Sequence, residues 1–358
     1  MWGIVMKKAI GVKLLLCTRC LSCLAVVMFL LVVAGCTQAV DEPEPADITP
    51  LMWRVTNPSQ NDAVLYLFGS MHIGIEDMYP LPTAIMDAFY RSDYLAIEVI
   101  GGRRGWDAVT LLQMYMQPEG QTIIDEIGAL LYERIAEVLV EEGLGDWLSY
   151  GGYWITQGLP NPELREWELM YYRAHMWNKY VLNEALIQRL LEEMEIVEGI
   201  DNFFIARANT LPATGFVVRR PNNMQVLEIE EWESREYEFI NMSPPLQRQL
   251  LEQTIDRLDY VVDETKELFD LWMRGDKQGL REFMYYNIAD FPEDLRKEFI
   301  DVMYIRRGIV MKEAAERYLA EGRNVFYVVG AAHMVRDGGL VDSLIERGYT
   351  VERVVWWD

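Results

Sequence analysis

An α/β fold with flanking helices and a large helical insertion between its N- and C-terminal α/β parts follows from three features of the sequence. Beyond a leader, the chain begins and ends in strand, helix, strand order. The long stretch between is dominated by apolar residues at spacings of three and four. Two short apolar strands, one near each end, run into the same pattern, Gly-x-x-His.

The first 35 residues are a leader. Lys7, Lys8, Lys13 and Arg19 precede an apolar run over residues 21–34 that only Ser22 and Cys23 interrupt, and Val33-Ala34-Gly35-Cys36 closes it. A basic start, an apolar middle and small residues at the end are the order of a signal peptide. The closing residues have the pattern of a lipoprotein cleavage box, which implies a diacylglyceryl thioether on Cys36 and a chain lipid-anchored to a cell membrane or outer membrane. Residues 14–34 approach spanning length if Arg19 is tolerated, so an uncleaved membrane anchor is the competing reading. Both are extracytoplasmic. Cys17, Cys20 and Cys23 imitate an iron–sulfur spacing but fall in the leader; after cleavage Cys36 is the one cysteine left, which excludes a disulfide framework. Residues 36–50 alternate proline with acid and lack apolar periodicity, the composition of a solvated tether, so the folded domain is expected over 51–356.

Within that domain, residues 52–55 and 63–68 are apolar runs separated by Asn57-Pro58-Ser59-Gln60-Asn61-Asp62, a turn-forming segment, and predict a hairpin. Residues 82–92 have helical period, and Tyr94-Leu95-Ala96-Ile97-Glu98-Val99 is a short strand carrying one acid. Helical spacing then recurs over 123–142, 162–180, 183–195, 201–211, 245–274, 277–286 and 293–322, with possible strands at 217–218 and 225–229. Residues 324–329, 339–347 and 349–355 return to strand, helix, strand. The 358 residues are 51% hydrophobic with net charge −23. That is enough apolar material for one large or two modest cores, and an acidic surface that repels phosphate backbones and excludes nucleic acid as a partner.

The chain has three histidines. Leu65-Tyr66-Leu67-Phe68 leads into Gly69-Ser70-Met71-His72, and Val325-Phe326-Tyr327-Val328-Val329 into Gly330-Ala331-Ala332-His333. A single histidine at a strand end is more often a satisfied structural residue than a ligand. The repeat sets these two apart: glycine permits a sharp turn or close approach, and the edge of an α/β sheet is where such folds place their sites. Two imidazoles so presented suit a shared divalent metal, or one suits a general base. His175 lacks that setting and reads as structural. Glu98 is costly inside an apolar run unless paired or metal-bound; if the strand is half exposed it faces water. No Gly-x-Ser-x-Gly, P-loop, Gly-x-Gly-x-x-Gly or His-Glu-x-x-His is present.

These residues, with Ile73-Gly74, Tyr79-Pro80-Leu81-Pro82, Gly338-Gly339-Leu340 and Arg347-Gly348-Tyr349, resemble the TraB/PrgY/GumN family, related to the Tiki metalloproteases and more distantly to the erythromycin esterase and ChaN-like proteins. Agreement is weaker at Gly199-Ile200-Asp201, Leu227-Glu228, Gly275-Asp276 and Arg307-x-x-x-Met311. The resemblance implies a Tiki-type sheet on which His72, Glu98 and His333 converge as metal ligands or acid/base groups, with manganese, cobalt, iron or zinc as the divalent metal. It implies that Arg307 stabilises an oxyanion or positions a carboxylate. Where many members have Arg-Asn, this chain has Arg307-Gly308, so a polar partner is missing. Three functions follow as expectations: a metal-dependent hydrolase acting on a peptide or protein substrate, a metal-free esterase-like hydrolase, and a non-catalytic surface lipoprotein that binds or sequesters a secreted peptide. The sequence leaves the oligomeric state open.

Overall fold

The computed structural model describes residues 48–49, 51–59, 62–100, 113–143, 169–209 and 224–354. The leader, Cys36, most of the tether and the possible strand at 217–218 lie outside the described residues, as does part of the helix expected over 162–180. The chain divides into residues 1–44 and 45–358, and the fold is that of the second unit.

Its centre is a six-stranded sheet in the order β6-β4-β7-β2-β1-β8, formed by β1 (Met52–Thr56), β2 (Val64–Ser70), β4 (Tyr94–Ile97), β6 (Gln225–Glu228), β7 (Val325–Gly330) and β8 (Thr350–Arg353). The expected hairpin forms, with Met52 opposite Phe68 and Thr56 opposite Val64. From β2 the sheet is parallel through β7 and β4 to β6. Parallel strands covered on both faces read as continuous apolar runs, and Val325 to Val329 are all buried. Because β6 joins the sheet from within the expected insertion, the helical middle is itself pinned to the sheet.

Helices account for most of the remainder: α1 (Thr83–Arg91), α2 (Ile123–Ile127), α3 (Ala129–Glu141), α4 (Asn183–Glu193), α5 (Ile200–Asn209), α6 (Trp232–Ile240), α7 (Pro244–Arg257), α8 (Val261–Met273), α9 (Lys277–Tyr286), α10 (Glu293–Ile300), α11 (Arg306–Ala320), α12 (Ala331–Val335) and α13 (Leu340–Glu346). Three long helices expected from periodicity are broken. Gly128, at φ 83°, separates α2 from α3. A 3₁₀ turn at Leu258–Tyr260 divides α7 from α8, and a π-turn at Asp301–Ile305 divides α10 from α11. A two-stranded antiparallel sheet of β3 (Ile73–Ile75) and β5 (Ile196–Glu198) was not expected.

The largest apolar cluster surrounds the sheet, with Phe204 and Phe326 in ring contact with each other and each with Phe68 and Phe89. A second cluster, including Ile127, Leu139 and Trp177, lies within the helical insertion, and a small third holds Leu246 and Phe291. Ile48, at the end of the segment read as tether, is fully buried, and the Thr49 N–H donates to Met273 O at 2.7 Å.

Candidate functional site

The four parallel strands end together, and each delivers a polar residue at its carboxyl end. In the sheet register Ser70 is opposite Gly330, and Ile97 opposite both Val328 and Glu228. Beyond those ends stand His72 from β2, Glu98 from β4, His333 from β7 and Glu230 from β6. Pairing extends past the formal strands, for the Glu230 N–H donates to Glu98 O at 2.9 Å. The carboxyl edge of adjacent parallel strands is the general location of ligand sites in open α/β sheets.

The two motif glycines differ in their surroundings, Gly69 being closely packed and Gly330 bordering an opening. The Gly69 carbonyl accepts from Trp272 Nε1 at 2.8 Å, and a Cβ there would lie 3.1 Å from Ala331 Cα, so β2 and the turn after β7 would have to part by a few tenths of an ångström to admit one. A Cβ at Gly330 would sit 3.6 Å from Glu98 Oε2, 3.7 Å from His333 Cδ2 and 3.8 Å from His72 Nε2. The space that Gly330 leaves open is therefore the point on which the three sequence-identified residues converge.

Glu98 is 4% exposed and is not a water-facing strand residue. Its Oε1 accepts from Arg307 Nη2, and its Oε2 accepts the Gly330 N–H at 3.1 Å. Burial pushes the carboxyl up, and the Arg307 guanidinium, together with the neighbouring histidines and the Gly330 N–H, outweighs it, leaving it at about 2. Arg307 also donates through Nε and Nη2 to Glu230 at 2.7–3.1 Å. Of the two roles expected for Arg307, the geometry is that of positioning carboxylates, since its bonds are spent on Glu98 and Glu230. The π-turn before α11 precedes this inward-facing arginine, which heads the buried stripe Arg307, Met311, Ala314, Ala315, Tyr318.

The histidines differ. His333 is 5% exposed and its Nδ1 makes no hydrogen bond among the described residues. Burial pulls it down to about 3, so it is neutral at physiological pH and adds no charge to Glu98. The Tyr304 ring meets it edge-on at 5.7 Å. His72, with its side chain 67% exposed, donates through Nδ1 to Asp201 Oδ2 at 3.0 Å, and the same carboxylate accepts from Ser70 Oγ at 3.0 Å. The Asp201 bond raises the His72 pKa above its ordinary value. Nδ1 is thereby fixed as the protonated nitrogen, which leaves Nε2 towards Gly330 as the acceptor.

A matching family model covers residues 51–169 and 221–353 and describes the TraB/PrgY/gumN family. The chain belongs to the TraB/PrgY/gumN family. No curated protein and no solved structure matches it. The matched residues of this TraB/PrgY/gumN chain include His72, Glu98, Glu230, Arg307 and His333, whereas Asp201 lies in the stretch between. At Gly308, the position that departs from the Arg-Asn pattern, a Cβ would lie 3.1 Å from Arg336 Nη2, so a side chain there would displace the tip of Arg336. Sequence reasoning missed Glu230, Arg235 and the role of Asp201. Glu230 ends a parallel strand as Glu98 does, but neighbouring Glu228 and Glu231 carry the same signal. Asp201 follows Gly199, where a Cβ would fall 1.9 Å from His72 O; that glycine was a usable mark of a close approach. Arg235, 4.0 Å from Glu98 Oε1, had no signal.

The donor chemistry fits a divalent cation. Two imidazoles and one carboxylate border a single opening, and His72 carries the carboxylate partner typical of metal-binding histidines. As placed, no three such side chains among the described residues form a ready metal-binding group, and both Glu98 oxygens already accept hydrogen bonds.

Proposed function

We propose that the chain is an extracytoplasmic, lipid-anchored hydrolase acting on a peptide or protein substrate. The observation that carries this reading is the convergence of His72 Nε2, Glu98 Oε2 and the His333 ring on the space at Gly330. His72, Glu98 and His333 would hold a divalent metal, which when bound supplies a Lewis acid and an activated water.

The chain's own residues supply the rest. His72, its Nδ1 held by Asp201, would present Nε2 to the metal when one is bound; without it, Nε2 is free to accept a proton and pass it to the leaving group. Glu98 stays ionised beside Arg307 and presents fixed negative charge to a developing cation. His333, neutral and enclosed, excludes water from the inner wall. Arg307 holds Glu98 and Glu230 in register, so the carboxylate is positioned before substrate arrives. The His72 and Asp201 pair also supports a metal-free variant, in which the same base activates water directly.

The test is turnover of a peptide library by the purified full-length chain, with and without chelator, beside His72→Ala. Cleavage abolished by the substitution and by chelation supports the metallohydrolase; cleavage abolished by the substitution alone selects the metal-free base. Turnover that survives His72→Ala removes this residue from the reaction and overturns the proposed site; no turnover of any peptide while a peptide still binds leaves the sequestering lipoprotein in its place.

A further inference from the structure

We infer that Arg235 anchors a substrate carboxylate beside the reaction centre, either the free C-terminus of a peptide or an acidic side chain next to the scissile bond. The inference rests on the hydrolase reading for what lies next to the anchor, but the binding it asserts is measurable without turnover.

Arg235 lies on α6, in the turn after β6 brings Glu230 to the site. Its side chain is 29% exposed, its guanidinium stands 4.0 Å from Glu98 Oε1, and it lies 5.5 Å from the centre of the Phe239 ring. Among the described residues its side chain donates no hydrogen bond. Other arginines of the region are engaged: Arg307 with Glu98 and Glu230, Arg306 with Asp301 and Glu238, Arg281 with Asp337 and Val335 O. The carboxylate nearest Arg235 is already matched, since Glu98 accepts from Arg307 and from the Gly330 N–H.

A chain of net charge −23 has acidic side chains in excess for neutralising its arginines. A half-open guanidinium with unspent donors, at the rim of a buried carboxylate and two histidines, is placed to receive a carboxylate from outside. The planar fork matches a carboxylate in two parallel hydrogen bonds, and Phe239 limits the directions the fork can take. Successive Cα atoms are about 3.8 Å apart, and Arg235 stands 4.0 Å from Glu98 Oε1, so a carboxylate seated on Arg235 leaves an adjacent peptide bond beside Glu98.

The experiment is calorimetric titration of the full-length chain with N-acetyl-trialanine, with its C-terminal amide, and with an N-acetylated peptide amide carrying one Asp. Wild type, Arg235→Gln and Arg235→Lys are compared, with thermal melts to verify folding. The wild type is expected to bind a carboxylate-bearing peptide at least about tenfold more tightly than the neutral amide, the low end for a charge-assisted hydrogen bond. Arg235→Gln removes that preference, and Arg235→Lys, which keeps the charge without the fork, restores part of it. Preference for the free acid identifies the C-terminus as the source; preference for the Asp peptide identifies the side chain. Equal binding of acids and neutral amide, an unchanged preference in Arg235→Gln, or no binding of either carboxylate by the folded wild type overturns the inference. Binding without cleavage leaves the anchor standing and removes the hydrolase; cleavage indifferent to Arg235 does the reverse.

Discussion

At neutral pH Glu98 is an anion and His333 is uncharged, although both are buried at the same strand edge. Burial keeps His333 neutral, whereas at Glu98 the same burial is outweighed, chiefly by the Arg307 guanidinium, which also disfavours a second cation nearby. Removing Arg307 leaves Glu98 and Glu230 buried without the guanidinium that hydrogen-bonds both. Arg307→Met is therefore expected to cost about 3–5 kcal/mol in urea unfolding, while Arg307→Lys recovers only part, because an ammonium cannot serve both acids in one plane. Gly330→Ala separates activity from stability. The added Cβ would make ordinary van der Waals contacts at 3.6–3.8 Å, so unfolding should shift little, yet it fills the opening where Glu98, His72 and His333 meet. Peptide cleavage is expected to fall at least about tenfold, a loss of roughly 1.4 kcal/mol in transition-state binding. His72, His333 and Glu98 were legible in the sequence because a repeated motif and an acid inside an apolar run are improbable without a reason. Glu230, Asp201 and Arg235 were not, since an acid or arginine in a helical, acid-rich stretch looks like any solvated residue.

Among the elements, the strands were the legible part, because burial on both faces writes a run such as Val325 to Val329 directly into the sequence. The helix breaks were not. Periodicity continues across a 3₁₀ or π-turn, and Gly128 is marked only by a positive φ that a glycine elsewhere need not adopt. Helix α6 links two polar clusters: Arg235 faces Glu98, while neighbouring Glu236, 1% exposed, accepts from Tyr115 Oη at 2.7 Å, from His175 Nε2 at 3.2 Å and from Lys179. Burial pushes Glu236 up, and the His175 bond together with Lys179 and Tyr115 outweighs it, holding the group at about 2 against an ordinary 4.5. Its folded pKa is depressed, so the stabilisation is present above pH 4.5 and is lost as pH falls towards 2. Glu236→Gln should lower stability at pH 7 by about 3 kcal/mol and flatten the acid limb of a pH series of thermal melts. His175, read from sequence as structural, is a member of this cluster.

For the whole molecule, the α/β ends and the helical middle were legible, but the contribution of β6 to the central sheet was not, because one short strand among helices carries little pattern. Among the described residues no helix is long and apolar enough to cross a membrane, so the proposed membrane attachment rests on the leader and Cys36. Cys36→Ser should leave an unacylated chain, detected by intact mass after expression in the native host; an acylated Cys36→Ser chain would refute that anchor. The central claim is that His72, His333 and Glu98 are one site. Its most direct measurement is calorimetric titration of the full-length chain with Mn, Co and Zn, comparing wild type, His72→Ala and His333→Ala. One-to-one binding by the wild type that is lost in both variants is the predicted result. No binding by the folded wild type, or binding that survives either substitution, would contradict the account.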